Sequence, residues 1–329
     1  IREMRRITEK ADGFPLDNFI DVREGLKRIR LEGTHLEEDE LFDLKRSLQT
    51  IIALTDYINR GDEDDEGNIT YDYPALHDLA DGVATFPRIV QRIEQVIDKF
   101  GRMRDTASPE LNRIRRELAS TEGSISRTLY SILKSAQSDG IVEKDVTPAV
   151  RDGRLVIPVA PGLKRRISGI VHDESATGKT VYIEPTQVVE ANNRIRELES
   201  DERREIVRIL TEIAKVIRPF VRPMLDSYNF LAEIDFIHAK TQFSIKFRAF
   251  EPEVSDKPYI DWIQARHPLL ETHLNGAIVP LDIMLTADKR ILIISGPNAG
   301  GKSVCLKTVA LLQYMLQCGL PIPVGDRSK

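Results

Sequence analysis

The sequence predicts a multidomain, mainly α-helical protein in which long helical arms are interrupted by a small antiparallel β-sheet and followed by an α/β segment. Charged residues make up 30% of the 329 residues and aromatic residues only 6%, a balance that favours long helices with much surface. Apolar residues recur at spacings of three and four along much of the chain. Short β-branched segments between Gly- and Pro-bearing turns occupy residues 154–185, and this texture is typical of strands.

The first third of the chain has the periodicity of packed helices. Apolar residues over 17–60 follow the helical spacing and are broken at Gly33, which predicts two helices. The acidic stretch 61–68 predicts a solvated loop without a role in function. Residues 86–100 predict an amphipathic helix, and 109–133 predict a charged helix that begins with a Ser-Pro pair.

A β element then interrupts the helical arms. Residues 154–160, 166–172 and 180–185 each predict a short strand of one antiparallel sheet. A long helix is expected from 187 to about 218. Its seam residues should pack inside the chain rather than form a dimer interface; they are Ile206, Leu210, Ile213 and Ile217.

Prolines at 219 and 223 end this arm, and the apolar spacing of 225–243 predicts a helix that returns along it. After 251–252 the composition shifts to short apolar strands, at 259–265, 277–285 and 291–295. This shift places a domain boundary near Pro258.

Charge, cysteine content and hydropathy restrict the function classes. The net charge of −5 excludes a surface that is basic throughout, so any nucleic-acid binding must be local. Cys305 and Cys318 are expected on one helix, too far apart for a disulfide, which fits a reducing cytosol. No apolar run is long enough to span a membrane, so we expect a cytoplasmic protein. Because residue 1 is not Met and residue 329 follows a helix closely, we expect a longer parent chain.

One motif carries chemistry. The apolar segment 291–295 is followed at once by GPNAGGKS and a predicted helix, which is the strand, loop and helix context of a phosphate-binding P-loop. Glycines let the backbone amides turn toward a phosphate at the positive end of the helix. Lys302 should reach the β- and γ-phosphate oxygens, and the Ser303 hydroxyl should coordinate Mg²⁺. The predicted nucleotide-binding residues are Gly296, Pro297, Asn298, Ala299, Gly300, Gly301, Lys302 and Ser303.

Nucleotide binding does not by itself imply hydrolysis. An ATPase of this kind needs a carboxylate at the end of a later strand, and only residues 304–329 follow the motif. The segment GIVHDE at 169–174 resembles such a strand but precedes the loop, so we expect no catalytic role for it. His172, Asp173 and Ser175 lie too close in sequence to form a catalytic triad, and we expect them to stabilise a turn. No catalytic residue is predicted in this chain.

Two stretches resemble a known family. The wording around the loop, SGPNAGGKSVCLKTVALLQYMLQCGLPIPV, and the upstream ARHPLL are similar to the MutS family. Residues 151–193 resemble its second bacterial branch, which lacks the mismatch-recognition and connector domains. This resemblance covers nearly the whole chain. It implies core and lever helices over 1–106, clamp arms with a sheet over 107–222, a lever return over 223–257, and the amino-terminal part of an ABC-type P-loop ATPase domain over 258–329.

The resemblance also implies a function. Members bind ATP and Mg²⁺ and close as homodimers around nucleic acid. Ile278 and Val279 stand where mismatch-repair relatives place an aromatic residue on the adenine, and apolar contact can replace stacking there. The implied activity is suppression of recombination on branched DNA, with rescue of stalled or collided ribosomes as the alternative. The family also implies a later carboxylate-bearing strand, a signature loop from the partner subunit and a carboxy-terminal nuclease-like domain.

Some alternatives stay open at this stage. Lys164, Arg165 and Arg166 follow Pro161-Gly162 between two predicted strands, and they predict either a basic turn against a phosphate backbone or an ordinary solvated turn. A nucleotide-binding interaction module without catalysis is a rival of another class. A chromosome-scaffold ATPase with a coiled-coil arm is disfavoured, because its P-loop precedes the arm and here it follows.

Overall fold

A computed structural model describes residues 1–10, 13–274, 278–297 and 301–329. It is mainly helical, as predicted. The helices are α1 (Arg2–Lys10), α2 (Arg23–Arg28), α3 (Glu38–Ile58), α4 (Pro74–Ala80), α5 (Pro87–Val96), α6 (Pro109–Ser138), α7 (Thr186–Ile217), α8 (Val221–Lys246), α9 (Pro268–His273) and α10 (Lys302–Gln317). Across the described residues, none of these helices combines the length and the apolar character that crossing a membrane requires.

The strands form three separate antiparallel sheets. Their bounds are β1 (Gly61–Glu63), β2 (Ile69–Tyr71), β3 (Ala149–Arg151), β4 (Arg154–Val159), β5 (Gly169–Glu174), β6 (Val181–Pro185), β7 (Ile260–Ala265) and β8 (Leu281–Leu285). The order is β1-β2 in one sheet, β3-β4-β6-β5 in the second and β7-β8 in the third. The predicted small antiparallel sheet is therefore confirmed, with β3 as an additional edge strand.

The acidic stretch 61–68 is not a plain loop. Its first residues form β1, which pairs with β2, and Asp64 closes the turn by accepting hydrogen bonds from the amides of Glu66 and Asn68. Every residue from 61 to 68 is exposed. The sequence therefore predicted the exposure correctly and missed the pairing, because a two-stranded hairpin without an apolar face has no hydrophobic alternation to detect.

The chain divides into two compact units. The first unit contains Ile1–Asn18, Thr50–Thr85 and Pro223–Lys329, and the second contains Phe19–Gln49 and Phe86–Arg222. In the second unit, one core joins α6, α7 and the four-stranded sheet, with Leu129, Ile183 and Val188 almost fully buried. In the first unit, α10 packs on the β7-β8 sheet through Leu312 and Trp262.

The two long helices of the second unit are tied together by polar contacts as well as by apolar packing. Ser108 caps α6 by accepting from the amide of Leu111, and its hydroxyl donates to the Glu205 carboxylate at 2.6 Å. Arg115 pairs with Glu202 at 2.6 Å. The seam residues of α7 are buried inside the chain, with Leu210, Ile213 and Ile217 at most 2% exposed, in agreement with the predicted internal packing.

Candidate nucleotide-binding site

The helix that follows the glycine-rich loop begins as the motif predicts. α10 starts at Lys302, and Gly301 precedes it with φ 80° and ψ 5°, a left-handed conformation that glycine adopts without steric cost. No side chain caps the first turn, so its amide groups are free of that competition and can bind an anion. The predicted residues Asn298, Ala299 and Gly300 lie outside the described residues.

Lys302 and Ser303 occupy the first two positions of α10. The Lys302 ammonium donates hydrogen bonds to the carbonyl oxygens of Gly296 and Pro297, the latter at 2.6 Å. The structure therefore holds the predicted cation over the loop rather than out in solvent. Ser303 is exposed, which leaves its hydroxyl accessible to a metal ion.

The segment before the loop differs from the prediction. Residues 291–297 contain no regular structure, and Ile291 and Ile293 are 84% and 85% exposed. A central strand of a parallel sheet needs a neighbouring strand on each side to satisfy its backbone groups. Among the described residues, the nearest strands in sequence, β7 and β8, pair only with each other. The predicted strand at 291–295 is thus absent from the described chain, because no described strand forms a ladder with it.

A cavity of about 640 Å³ adjoins the start of α10. Its lining includes Gly301 and the two residues that the resemblance placed against the base, Ile278 and Val279. Further apolar lining comes from Leu270, Leu281 and Val304. Volume and predominantly apolar lining are those of a small-molecule site. The structure therefore brings the predicted base contacts and the described end of the loop to one place.

The Arg-His-Pro segment forms another part of this site. A bulge in β7 displaces Gln264, whose amide donates to the Asp282 carboxylate at 2.7 Å. Beyond the bulge, the Arg266 guanidinium donates to the carbonyl oxygens of Phe247 and Arg248 and pairs with Glu271. Arg266 therefore anchors the segment to the end of α8.

His267, the next residue, lines the cavity and caps α9, where its ring accepts from the amide of Leu270. Burial lowers the pKa of His267, and the positive charge of Lys307 lowers it further. The sequence interpretation did not single out His267 as a site residue. The one signal available was its place in the Arg-His-Pro segment.

The three predicted basic residues lie on a short 3₁₀ helix, Pro161–Arg166, between β4 and β5. Lys164, Arg165 and Arg166 are all exposed. Within the described part of the chain, none of them has an acidic partner within 4.0 Å, in contrast to Arg151 and Arg154. These two arginines therefore do not extend the basic turn.

Arg154 instead belongs to a buried cluster around Glu184. The Glu184 carboxylate is fully buried and accepts from Arg154 at 2.7 Å, from His172 Nε2 at 2.5 Å and from Asn192 at 2.7 Å. Burial alone would raise the pKa of Glu184, but the hydrogen bonds from His172, Asn192 and Arg154 outweigh it and hold the pKa below its usual value. The cluster joins β4, β5 and β6 to α7.

This cluster corrects the prediction for His172 and Asp173. Both lie in strand β5 rather than in a turn, and Asp173 faces Arg151 at 3.5 Å. Of the three residues, Ser175 stabilises a turn, since its hydroxyl accepts from the amide of Thr180 at 3.1 Å. The spacing of these residues could not reveal Glu184 as the partner of His172, because that pairing depends on the strand register.

The chain is similar to several curated proteins named Endonuclease MutS2. It is 38% identical over 315 residues to the protein of Geobacillus sp. (strain WCH70), which covers 96% of this chain and 39% of that protein. It is 36% identical to the protein of Enterococcus faecalis over 98% of this chain and 40% of that protein. For Levilactobacillus brevis the identity is 36% over 99% and 40%.

The chain therefore spans about two fifths of the length of these relatives. A scan against models of known protein families found no match. The relatives match along nearly all of this chain, so the similarity includes the four-stranded sheet as well as the glycine-rich loop.

Proposed function

The chain belongs to the MutS family, in its MutS2 branch, and from this membership we propose that the full-length protein is an ATPase that clamps nucleic acid. Supporting this proposal, the glycine-rich loop and the apolar cavity meet at the start of α10. A phosphate group and a base of one nucleotide could use these two features together. The other residues at the site have the chemistry that such a ligand needs.

The residues present fit ATP and Mg²⁺. Backbone amides at the start of α10 would receive phosphate oxygens, and the Lys302 ammonium would exchange its two carbonyl partners for the β- and γ-phosphates. The Ser303 hydroxyl would hold Mg²⁺, which would neutralise the developing phosphate charge. The base would lie in the cavity against Ile278 and Val279. We propose that hydrolysis uses groups supplied by the remainder of the full-length protein and its dimer partner.

We further propose that the basic turn contacts a phosphate backbone. Lys164, Arg165 and Arg166 are exposed cations without an acidic partner among the described residues, on a chain that is acidic overall. Contacts of this kind read charge and not base sequence, which suits a clamp on branched DNA. The relatives' printed name describes enzymes that cut nucleic acid internally. We therefore propose suppression of recombination by clamping branched DNA in the cytoplasm, with ATP-driven closure of a homodimer.

The test uses the full-length protein that contains this chain. ATPase rates are measured at fixed salt concentration with four-way-junction DNA and with collided ribosomes. The variant is Lys302→Ala, and the matched control is Lys289→Ala, an exposed lysine of the same unit outside the cavity. Loss of a charge-assisted contact to phosphate should weaken ATP binding by roughly 10- to 100-fold, whereas the control should bind as the wild type does.

Each outcome points to one activity. Stimulation by junction DNA that disappears in Lys302→Ala supports the recombination function. Stimulation by ribosomes alone moves the function to ribosome rescue, which uses the same nucleotide site. ATP binding without any hydrolysis under either condition would leave a nucleotide-binding interaction module and contradict the motor.

A further inference from the structure

The cavity beside α10 has few polar side chains. Besides its apolar lining, it contains His267, Cys305 and Thr308. Thr308 is only 4% exposed, and its hydroxyl donates to the carbonyl oxygen of Val304 at 2.8 Å, inside the helix. Its proton is therefore used. A thiol is a weak donor, so His267 is the polar group best able to bind a ligand strongly.

The hydrogen bonds around His267 determine which ring nitrogen can donate. Nδ1 accepts from the amide of Leu270 at 3.5 Å, so in the neutral ring the proton belongs on Nε2. Burial and the charge of Lys307 lower the pKa of His267, which favours this neutral ring. Nε2 makes no hydrogen bond to any described residue. The ring therefore has one donor left for a ligand in the cavity.

The backbone on both sides holds this ring in place. Arg266 is fixed by the two carbonyl oxygens at the end of α8 and by Glu271. Pro268, the first residue of α9, is buried. A donor that is held by its neighbours before a ligand binds loses little conformational entropy on binding. Ile278 and Val279, in contrast, offer only apolar contact, which has no direction.

We propose that Nε2 of His267 donates a hydrogen bond to a ring nitrogen of the adenine of bound ATP, and so fixes the orientation of the base against Ile278 and Val279. This inference rests on the proposed nucleotide site. Adenine has ring-nitrogen acceptors at N1, N3 and N7. If the acceptor is N1, the contact also selects adenine over guanine, because guanine has a hydrogen on N1 and would meet the donor with a donor.

The experiment compares ATP with its 1-deaza, 3-deaza and 7-deaza analogues, each of which replaces one acceptor nitrogen by a carbon. Dissociation constants are measured by calorimetry on the full-length protein. The wild type should bind one analogue about 3- to 10-fold more weakly than ATP, as expected for one hydrogen bond, and the other two as ATP itself. Because this series uses the wild type, it does not depend on how a variant folds.

The variant is His267→Asn, which can still accept the cap hydrogen bond of α9 but is too short to replace the imidazole. It should bind ATP and all three analogues equally, at the affinity of the weakest wild-type pair. His273→Asn, an exposed histidine of the same helix that does not line the cavity, should keep the wild-type pattern. Equal binding of every analogue by the wild type would overturn the proposal, as would an unchanged analogue effect in His267→Asn.

Failure of the proposed function gives a different result. If the wild type binds no ATP, or if Lys302→Ala binds ATP as well as the wild type does, then the nucleotide site itself is wrong. If ATP binding depends on Lys302 and the three analogues are not distinguished, the site stands and the role of His267 falls.

Discussion

The four-stranded sheet of the second unit and the loop region of the first unit contain similar apolar segments with opposite fates. In the sheet, Ile157 and Ile183 are fully buried. In the segment before the loop, Ile291 and Ile293 are more than 80% exposed. The difference lies in the partners, because β4, β5 and β6 follow each other closely and pair antiparallel, whereas a strand of a parallel sheet depends on neighbours distant in sequence. Apolar composition alone therefore does not determine whether a strand forms.

The charges of the two regions differ in the same way. Glu184 in the sheet has partners on two strands and on α7, while the Lys302 ammonium, among the described residues, contacts only backbone carbonyl oxygens. A carboxylate with charged and polar partners is a structural centre. A cation on neutral acceptors is available to a stronger, anionic one. The comparison separates residues that maintain the fold from residues that await a ligand.

The largest expected effect is the loss of the Glu184 carboxylate. Glu184→Ala leaves Arg154 and Asn192 partly buried without their acceptor, and removing one partner of a buried pair costs about 3–5 kcal/mol. Hydrogen exchange followed by mass spectrometry should show that amide protection in β4, β5 and β6 falls. Glu190→Ala, an exposed glutamate on α7, is the control and should keep wild-type protection. A protected sheet in Glu184→Ala would show that the apolar core alone holds it.

A matched pair of isoleucines tests the comparison directly. Ile183→Ala should lower the free energy of unfolding by about 2–5 kcal/mol, since it removes fully buried methyl groups. Ile293→Ala should change it by less than about 0.5 kcal/mol, because its side chain is 85% exposed. Both are measured by urea denaturation. Equal losses would mean that residues outside the described set cover the segment before the loop.

The pH dependence of the sheet follows from the lowered pKa of Glu184. A carboxyl group whose pKa is lower in the folded state than in the unfolded state contributes stability above its unfolded pKa, near 4.3, and this contribution is lost as the pH falls through the folded value. The urea midpoint of the sheet should therefore fall below about pH 4. Glu184→Gln should be less stable at pH 7 and should lose less on acidification. Identical pH profiles for both proteins would contradict this assignment.

Sequence and structure agree where the information is local. The bounds of α6 and α7 follow from a Ser-Pro start and a sustained apolar seam, and Gly301 follows from the left-handed turn that the motif requires. The site agrees to a similar extent, since Ile278, Val279 and Gly301 line one cavity. These residues are close in space because β8 and α10 share one core, and the resemblance supplied that information.

The disagreements have a common cause in long-range pairing. His172 and Glu184 are 12 residues apart and meet only because β5 pairs with β6, with a bulge after Val171. His267 reaches the cavity because another bulge, in β7, redirects the chain. Periodicity reports which face of a strand is buried, but it cannot report register shifts or bulges.

The smallest effect concerns the basic turn and distinguishes paired from unpaired cations within the sheet region. Lys164→Ala should reduce the slope of log affinity against log salt concentration for duplex DNA by about 0.9, the value for one phosphate contact. Arg151→Ala should leave the slope unchanged, because Arg151 already contacts Asp173 and lies 4.0 Å from the Tyr182 ring. Binding of the full-length variants is measured by fluorescence anisotropy across a salt series. Equal slopes for Lys164→Ala and the wild type would assign Lys164 to an ordinary solvated turn, and a reduced slope in Arg151→Ala would show that internal pairing does not remove a cation from the binding surface.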